Sequence, residues 1–155
     1  MNFDTSFSEL IGNEGGYVNH PADPGGETNF GISKRSYPME DIKGMTLERA
    51  KALYFRDYWG PAGCDALPDA IRFDVFDMAV NSGSKQAVRT LQTAIGQTPD
   101  GVLGPKTLMA CQSMDAERLV MRFNACRLLF MSDLATWPSF GRGWAKRIAN
   151  NVLHA

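Results

Sequence analysis

At 155 residues with 44% hydrophobic content, the chain is long enough to bury a core and is most simply one domain. A formal charge of −1, with both signs dispersed, gives no electrostatic case for nucleic acid, and no run approaches the ~18 apolar residues of a membrane span. Three cysteines without CxxC spacing (Cys64, Cys111, Cys126) and only two histidines (His20, His154) argue for free thiols and exclude HExxH metal chemistry.

In chain order, MNFDTSFSEL lacks a basic segment followed by a signal-like apolar core, which predicts a product without an export signal. Ser6 and Glu9 have capping-box spacing, and Phe7, Leu10 and Ile11 form an apolar stripe, which predicts a short first helix ended by Gly15-Gly16. Glu14 then falls in the last turn, where the negative end of the helix dipole favours the protonated carboxyl that a general acid needs. Glu14 to Ser33, EGGYVNHPADPGGETNFGIS, is rich in breakers and charge and buries little apolar surface of its own, so neighbouring helices must hold it. Within it, Tyr17 to Asn19 and Thr28 to Ile32 have β character around the turn Asp23-Pro24-Gly25-Gly26, which predicts a small hairpin or Ω-like loop beside Glu14.

From Thr46, the residues Leu47, Ala50, Leu53, Tyr54 and Tyr58 share a helical face that Gly60-Pro61 should stop. Pro68 to Asn81, apolar on most sides, reads as the buried central helix, with Ser82-Gly83 closing it and Asn81 at its C-terminal end. Ala87, Val88, Leu91 and Ile95 mark a further helix ending at Gly96, and GQTPDGVLGP is a loop handing over to a short helix from Pro105 to about Gln112. Asp115 is placed to cap a long helix broken by Trp137-Pro138, and a last helix runs from about Gly143. The expected class is mainly α with one small N-terminal β-hairpin or loop.

The spacing E-x8-D-x4-T over Glu14, Asp23 and Thr28 supplies two carboxylates and a hydroxyl. Glycoside hydrolysis generally uses one protonated carboxyl for the leaving oxygen and one ionised carboxylate opposite it. The spacing permits that chemistry; it equally permits Asp23 capping its own turn and a solvated Glu14. Glu27 is an alternative second carboxylate, or a sugar contact, or a solvated turn residue. His20 is available to tune the site or bind hydroxyls, or to bond within the loop. Tyr17, Tyr58 and Trp59 offer rings for stacking on sugars, although Tyr54 and Tyr58 at helical spacing also suit a core. Asn81 suits an N-acetyl group or a catalytic water, or simply ends its helix.

The run EGGYVNHPADPGGETNFGIS resembles the N-terminal signature of glycoside hydrolase family 108, the N-acetylmuramidases of lysozyme type. YFRDYW, FDVFDMAVNSG, LQTAIG…DGVLGPKT and FGRGWAKRI continue the likeness in order over most of the chain. The resemblance implies a single lysozyme-like domain over 1–155, with 1–84 as the catalytic half. It implies that the helical half, 85–155, resembles a peptidoglycan-binding module through DGVLGPKT; those residues also read as an ordinary turn and helix start. The Glu, Asp, Thr spacing is similar to that of T-even phage lysozymes, with one residue fewer between Asp and Thr. By that resemblance Glu14 is the general acid, with Asp23 and Thr28 acting on the water or the cationic sugar, and Tyr17, His20, Glu27, Tyr58 and Asn81 are candidate substrate contacts. The substrate implied is bacterial peptidoglycan, cut at the β-1,4 bond between N-acetylmuramic acid and N-acetylglucosamine by a monomer with no cofactor, metal or stable membrane insertion. As with phage endolysins, the protein would be made in the host cytoplasm and reach the wall through a holin or another route. The alternatives are a lytic transglycosylase on the same scaffold and a non-catalytic wall-binding or virion module.

Overall fold

A computed structural model describes residues 1–12, 16–22 and 25–154. Helix α1 (Phe3–Ile11) is followed by short strands β1 (Val18–Asn19), β2 (Glu27–Asn29) and β3 (Ile32–Ser33), and then by six further helices. These are α2 (Leu47–Tyr54), α3 (Asp69–Ser82), α4 (Ser84–Ala94), α5 (Pro105–Ser113), α6 (Ala116–Ser132) and α7 (Trp137–Leu153). The class is mainly α with a small sheet, as expected.

The start of α1 differs from the capping-box reading. Asn2 is the cap, its side-chain oxygen accepting from the Thr5 N–H at 2.9 Å, while Ser6 is buried inside the helix. The helix also ends earlier, at Gly12, whose φ of 56° lies in the left-handed region open to glycine. The last turn of α1 is therefore Ser8 to Ile11, and Glu14, which was expected in that turn, lies outside the described residues.

In place of a two-stranded hairpin there is a three-stranded antiparallel sheet with β2 in the middle. Val18 pairs with Thr28 and Asn19 with Glu27 on one side, and Thr28 with Ser33 and Asn29 with Ile32 on the other. The segment expected to run straight from Thr28 to Ile32 is folded back by a two-residue turn at Phe30 and Gly31, with φ of 49° and 75°. Positive φ at both central residues matches the twist of a tight hairpin, and a phenylalanine there gives no turn signal in the sequence. Buried Asn29 pins the sheet to the loop before α2 by donating to the Ile42 carbonyl at 3.0 Å.

Helix α3 is the central element, packed on α1, α4 and α6. Ile71, Val75, Phe76, Met78 and Ala79 join Leu91 of α4 and Leu119 and Phe123 of α6 in one apolar cluster with Phe7, Leu53, Tyr54 and Trp59. Between α2 and α3 the chain passes through a π-helical turn, Phe55–Trp59, which buries Trp59; its indole N–H donates to Asp65 Oδ1 at 2.9 Å. Asp115 caps α6 by accepting from the Arg118 N–H at 3.0 Å, as expected. Helix α7 starts six residues earlier than expected. Pro138 sits in its first turn, where the missing N–H is no loss, so Trp137-Pro138 opens a helix as well as closing the connection from α6. Cys64 and Cys111 are buried free thiols and Cys126 is half-buried.

Candidate active-site cleft

The C-terminal end of α1, the β2–β3 turn, the C-terminal end of α3 and one side chain of α7 converge on a cavity of about 350 Å³. Leu10 and Ile11 form one wall, Phe30 and Gly31 another, and Asn81 and Arg147 line it from α3 and α7. Its turn is fixed from below by Tyr54, whose hydroxyl donates to the Phe30 carbonyl at 3.1 Å. Burial pushes that phenol up to about 12, so it keeps its proton and goes on donating through the neutral range. A Cβ on residue 31 would lie 2.6 Å from the same hydroxyl, so both the positive φ and the close approach demand glycine.

Glu14 and Asp23 lie outside the described residues. Thr28, the third member of the spacing, is half-buried at the centre of the sheet, paired through its backbone on both sides. Side chains alternate along a strand, so Thr28 faces away from the anchored Asn29. Glu27, the alternative carboxylate, accepts from the Tyr17 hydroxyl at 2.7 Å, and that hydrogen bond is the main reason the exposed Tyr17 phenol is pushed up. Tyr17 and Glu27 thus form a polar pair at the sheet edge. His20 bonds within its own loop, Nδ1 accepting the Ala22 N–H at 3.2 Å.

Asn81 does reach the cleft, with its Nδ2 donating back to the Asp77 carbonyl one turn earlier at 3.1 Å. Tyr58, for which a sugar contact and a core position were both expected, packs against Tyr54 with ring centroids 5.6 Å apart, and its hydroxyl accepts from that of Tyr37 at 3.4 Å. Trp59 is fully buried and is likewise a core residue. Both outcomes follow from the helical face that Tyr54, Tyr58 and their neighbours share.

Arg147 and Asp77 are the pair that sequence reasoning missed. Asp77, 1% exposed on α3, receives Arg147 Nε at 2.7 Å and Nη2 of the same guanidinium on Oδ1, and Asn151 Nδ2 at 3.0 Å on Oδ2. Arg127, fully buried on α6, places Nη1 2.8 Å from Oδ2 as an ion pair, and none of its three guanidinium nitrogens has a well-aligned hydrogen bond among the described residues. Burial alone would raise the Asp77 carboxyl, but the charges of Arg127 and Arg147 outweigh it and hold the group below the usual carboxylate range. One turn earlier, Asp74 accepts from Asn124 Nδ2 at 3.1 Å and has no ion-pair partner among the described residues, and burial pushes it up to about 6. The available signal was Asp74 and Asp77 within the apolar run from Phe73 to Val80, since acids are almost never fully buried unless paired.

The DGVLGP segment is held from inside. Gln92, nearly fully buried on α4, accepts the Gly101 N–H at 2.8 Å and donates to Asp100 Oδ1 at 2.7 Å and the Val102 carbonyl at 3.0 Å. These bonds give the motif a folding role of its own. Among the described residues no three His, Cys, Asp or Glu side chains cluster as a metal site, and no helix is long and apolar enough to cross a membrane.

The model of Glycosyl hydrolase 108 matches residues 7–83, and that of a Predicted Peptidoglycan domain matches residues 86–149. The solved structure of Brucella abortus SagA is similar with a TM-score of 0.86 and 34% sequence identity, over 98% of this chain and 92% of that one. The chain belongs to glycoside hydrolase family 108. No curated protein matches it. The fold of this family 108 chain is lysozyme-like, and the two matched regions together make it a glycoside hydrolase directed at peptidoglycan. The seam between the regions falls between α3 and α4, and the apolar core runs across it.

Proposed function

We propose that the protein is an N-acetylmuramidase that hydrolyses the β-1,4 bond between N-acetylmuramic acid and N-acetylglucosamine. Glu14 is the general acid that protonates the glycosidic oxygen. Asp23 orients the attacking water or stabilises the cationic sugar, and Thr28 helps to position that water. The observation that carries this reading is the cleft at the end of α1: the chain leaves it at Gly12, two residues before Glu14, and the β2–β3 hairpin that bears Thr28 forms its opposite wall. Phe30 supplies apolar surface suited to a sugar face, and Asn81 supplies an amide suited to an N-acetyl group.

The test is digestion of purified peptidoglycan by the wild type and by Glu14→Gln, with circular dichroism to confirm equal folding and mass spectrometry to identify the product ends. Gln keeps the size and removes the proton to be donated. The expected result is reducing N-acetylmuramic acid ends from the wild type and a loss of roughly 10²–10⁴-fold in the variant. Anhydro ends would mean transglycosylase chemistry, and equal activity in the two proteins would remove Glu14 from its role.

A further inference from the structure

We propose that Arg147 is a specificity-determining residue of the cleft, recognising a carboxylate on the branch that muramic acid carries and N-acetylglucosamine lacks. The inference rests on the muramidase reading and names the part of the substrate that this cleft selects. Three observations carry it. Arg147 lines the cavity beside the β2–β3 turn and also a second cavity of about 580 Å³ lined by Leu10, Asp77 and Lys146, so with Leu10 it is shared by the two. It is 39% exposed, whereas its partner Asp77 is 1% exposed, so the guanidinium is held from the protein side and open on the other. Its Nε and Nη2 are both committed to Asp77 Oδ1, while Nη1 has no hydrogen bond among the described residues.

The remaining edge of the fork, Nη1 with the second proton of Nη2, matches the two oxygens of a carboxylate. Asp77 does not cancel this role, because its charge is shared with the fully buried Arg127 and with Asn151. With Asp74, which interacts with both Arg127 and Asp77 and is ionised at neutral pH, the buried charges balance, and Arg147 is the cation of the group with an exposed edge, which lines the cleft. Lys146 adds a second cation to the wider cavity, against Glu9 on the α1 side. Chitin-like chains present no anion to this edge. Muramic acid presents either the carboxylate of its lactyl ether, when the peptide is absent, or those of the attached stem.

Purified sacculi, untreated or with carboxylates blocked by carbodiimide and glycinamide, separate this role from folding. Binding by co-sedimentation is measured in a Glu14→Gln background, and cleavage is measured with Glu14 intact, for Arg147, Arg147→Gln and Arg147→Lys. Arg147→Gln should fold, since Asp77 keeps Arg127 and Asn151, and a thermal melt checks this. On untreated sacculi, Arg147→Gln is expected to weaken binding and raise KM by roughly ten- to hundredfold with kcat little changed, and Arg147→Lys to recover part of the loss. On blocked sacculi the three proteins should be alike. Retention of the Arg147 advantage on glycan stripped of its stems by an amidase would assign the contact to the lactyl carboxylate, and its loss there would assign it to the stem. An equal loss on blocked and untreated sacculi, or a wild type indifferent to blocking, would overturn the proposal. Binding decides this proposal even if no glycosidic bond is cut, an outcome that would overturn the muramidase reading alone.

Discussion

The segment around the sheet and the polar cluster between α3, α6 and α7 are built on opposite plans. In the first, apart from the anchors from Asn29 to Ile42 and from Tyr54 to Phe30, polar contacts are short in sequence and open to solvent: Tyr17 to Glu27, Ala22 to His20, and a hairpin closed in two residues. In the second, Asp77 is joined to Arg127, Arg147 and Asn151 across 50, 70 and 74 positions, with two of the four residues almost wholly out of water. A site that must admit a polymer cannot be dry before the substrate arrives, so its polar groups stay exposed and locally tied. The buried cluster does the opposite task of fixing where three helices meet. Arg147 belongs to both, with one edge in the cluster and the other at the cleft.

The widest separation between the regions is expected from two carboxylate variants. Glu14→Gln should remove activity with the thermal melt little moved. Asp77→Ala should cost about 3–5 kcal/mol in a denaturant titration, because it removes the ion-pair partner of the fully buried Arg127. A mild effect of Asp77→Ala would mean that water reaches Arg127 and that the cluster is no drier than the cleft.

Asp74 sharpens the contrast through pH. Its folded value, raised to about 6, lies above the roughly 3.9 of an unfolded aspartate, so the native state favours the protonated acid. Stability from this group is complete below the unfolded value and falls as pH rises through about 4 to about 6, by roughly 2–3 kcal/mol at most. Asp77, with a lowered value, works in the other direction and loses its contribution only as pH falls below the ordinary aspartate range. Asp74→Asn keeps an acceptor for Asn124 and should flatten the pH 4–6 limb in melts of variant against wild type. A limb that is unchanged would assign it to another group.

Smaller effects are expected at the edges of the cleft. Gly31→Ala should cost about 1–2 kcal/mol from the left-handed backbone, more if Tyr54 cannot give way, and should lower kcat/KM by moving the Phe30 wall. Asn2→Ala, which removes the cap of α1, should cost about 1 kcal/mol and leave activity near the wild-type value at temperatures well below the melt. A loss of activity from Asn2→Ala as large as that from Gly31→Ala would show that fraying of α1 reaches the cleft from its far end.

Sequence by itself determined what is local. Apolar periodicity located the central helix α3 and the helices α4 to α6 to within a few residues, and Asp115 was readable as a cap because capping is settled over three residues. The spacing of Glu14, Asp23 and Thr28 and the run that carries it pointed to the family and to the loop region. The tight turn at Phe30-Gly31 was hidden because its first residue is an aromatic whose strained backbone is held by Tyr54, 24 positions away. The start of α7 was hidden because a proline reads as a break unless it is known to lie in a first turn. Only the tertiary structure decided between the two readings of Tyr58 and placed Arg147 in the cleft, for a shared physical reason. A helical face records which residues turn inward together, but whether a residue on it meets an aromatic neighbour, a buried acid or open water depends on which distant helix is packed there.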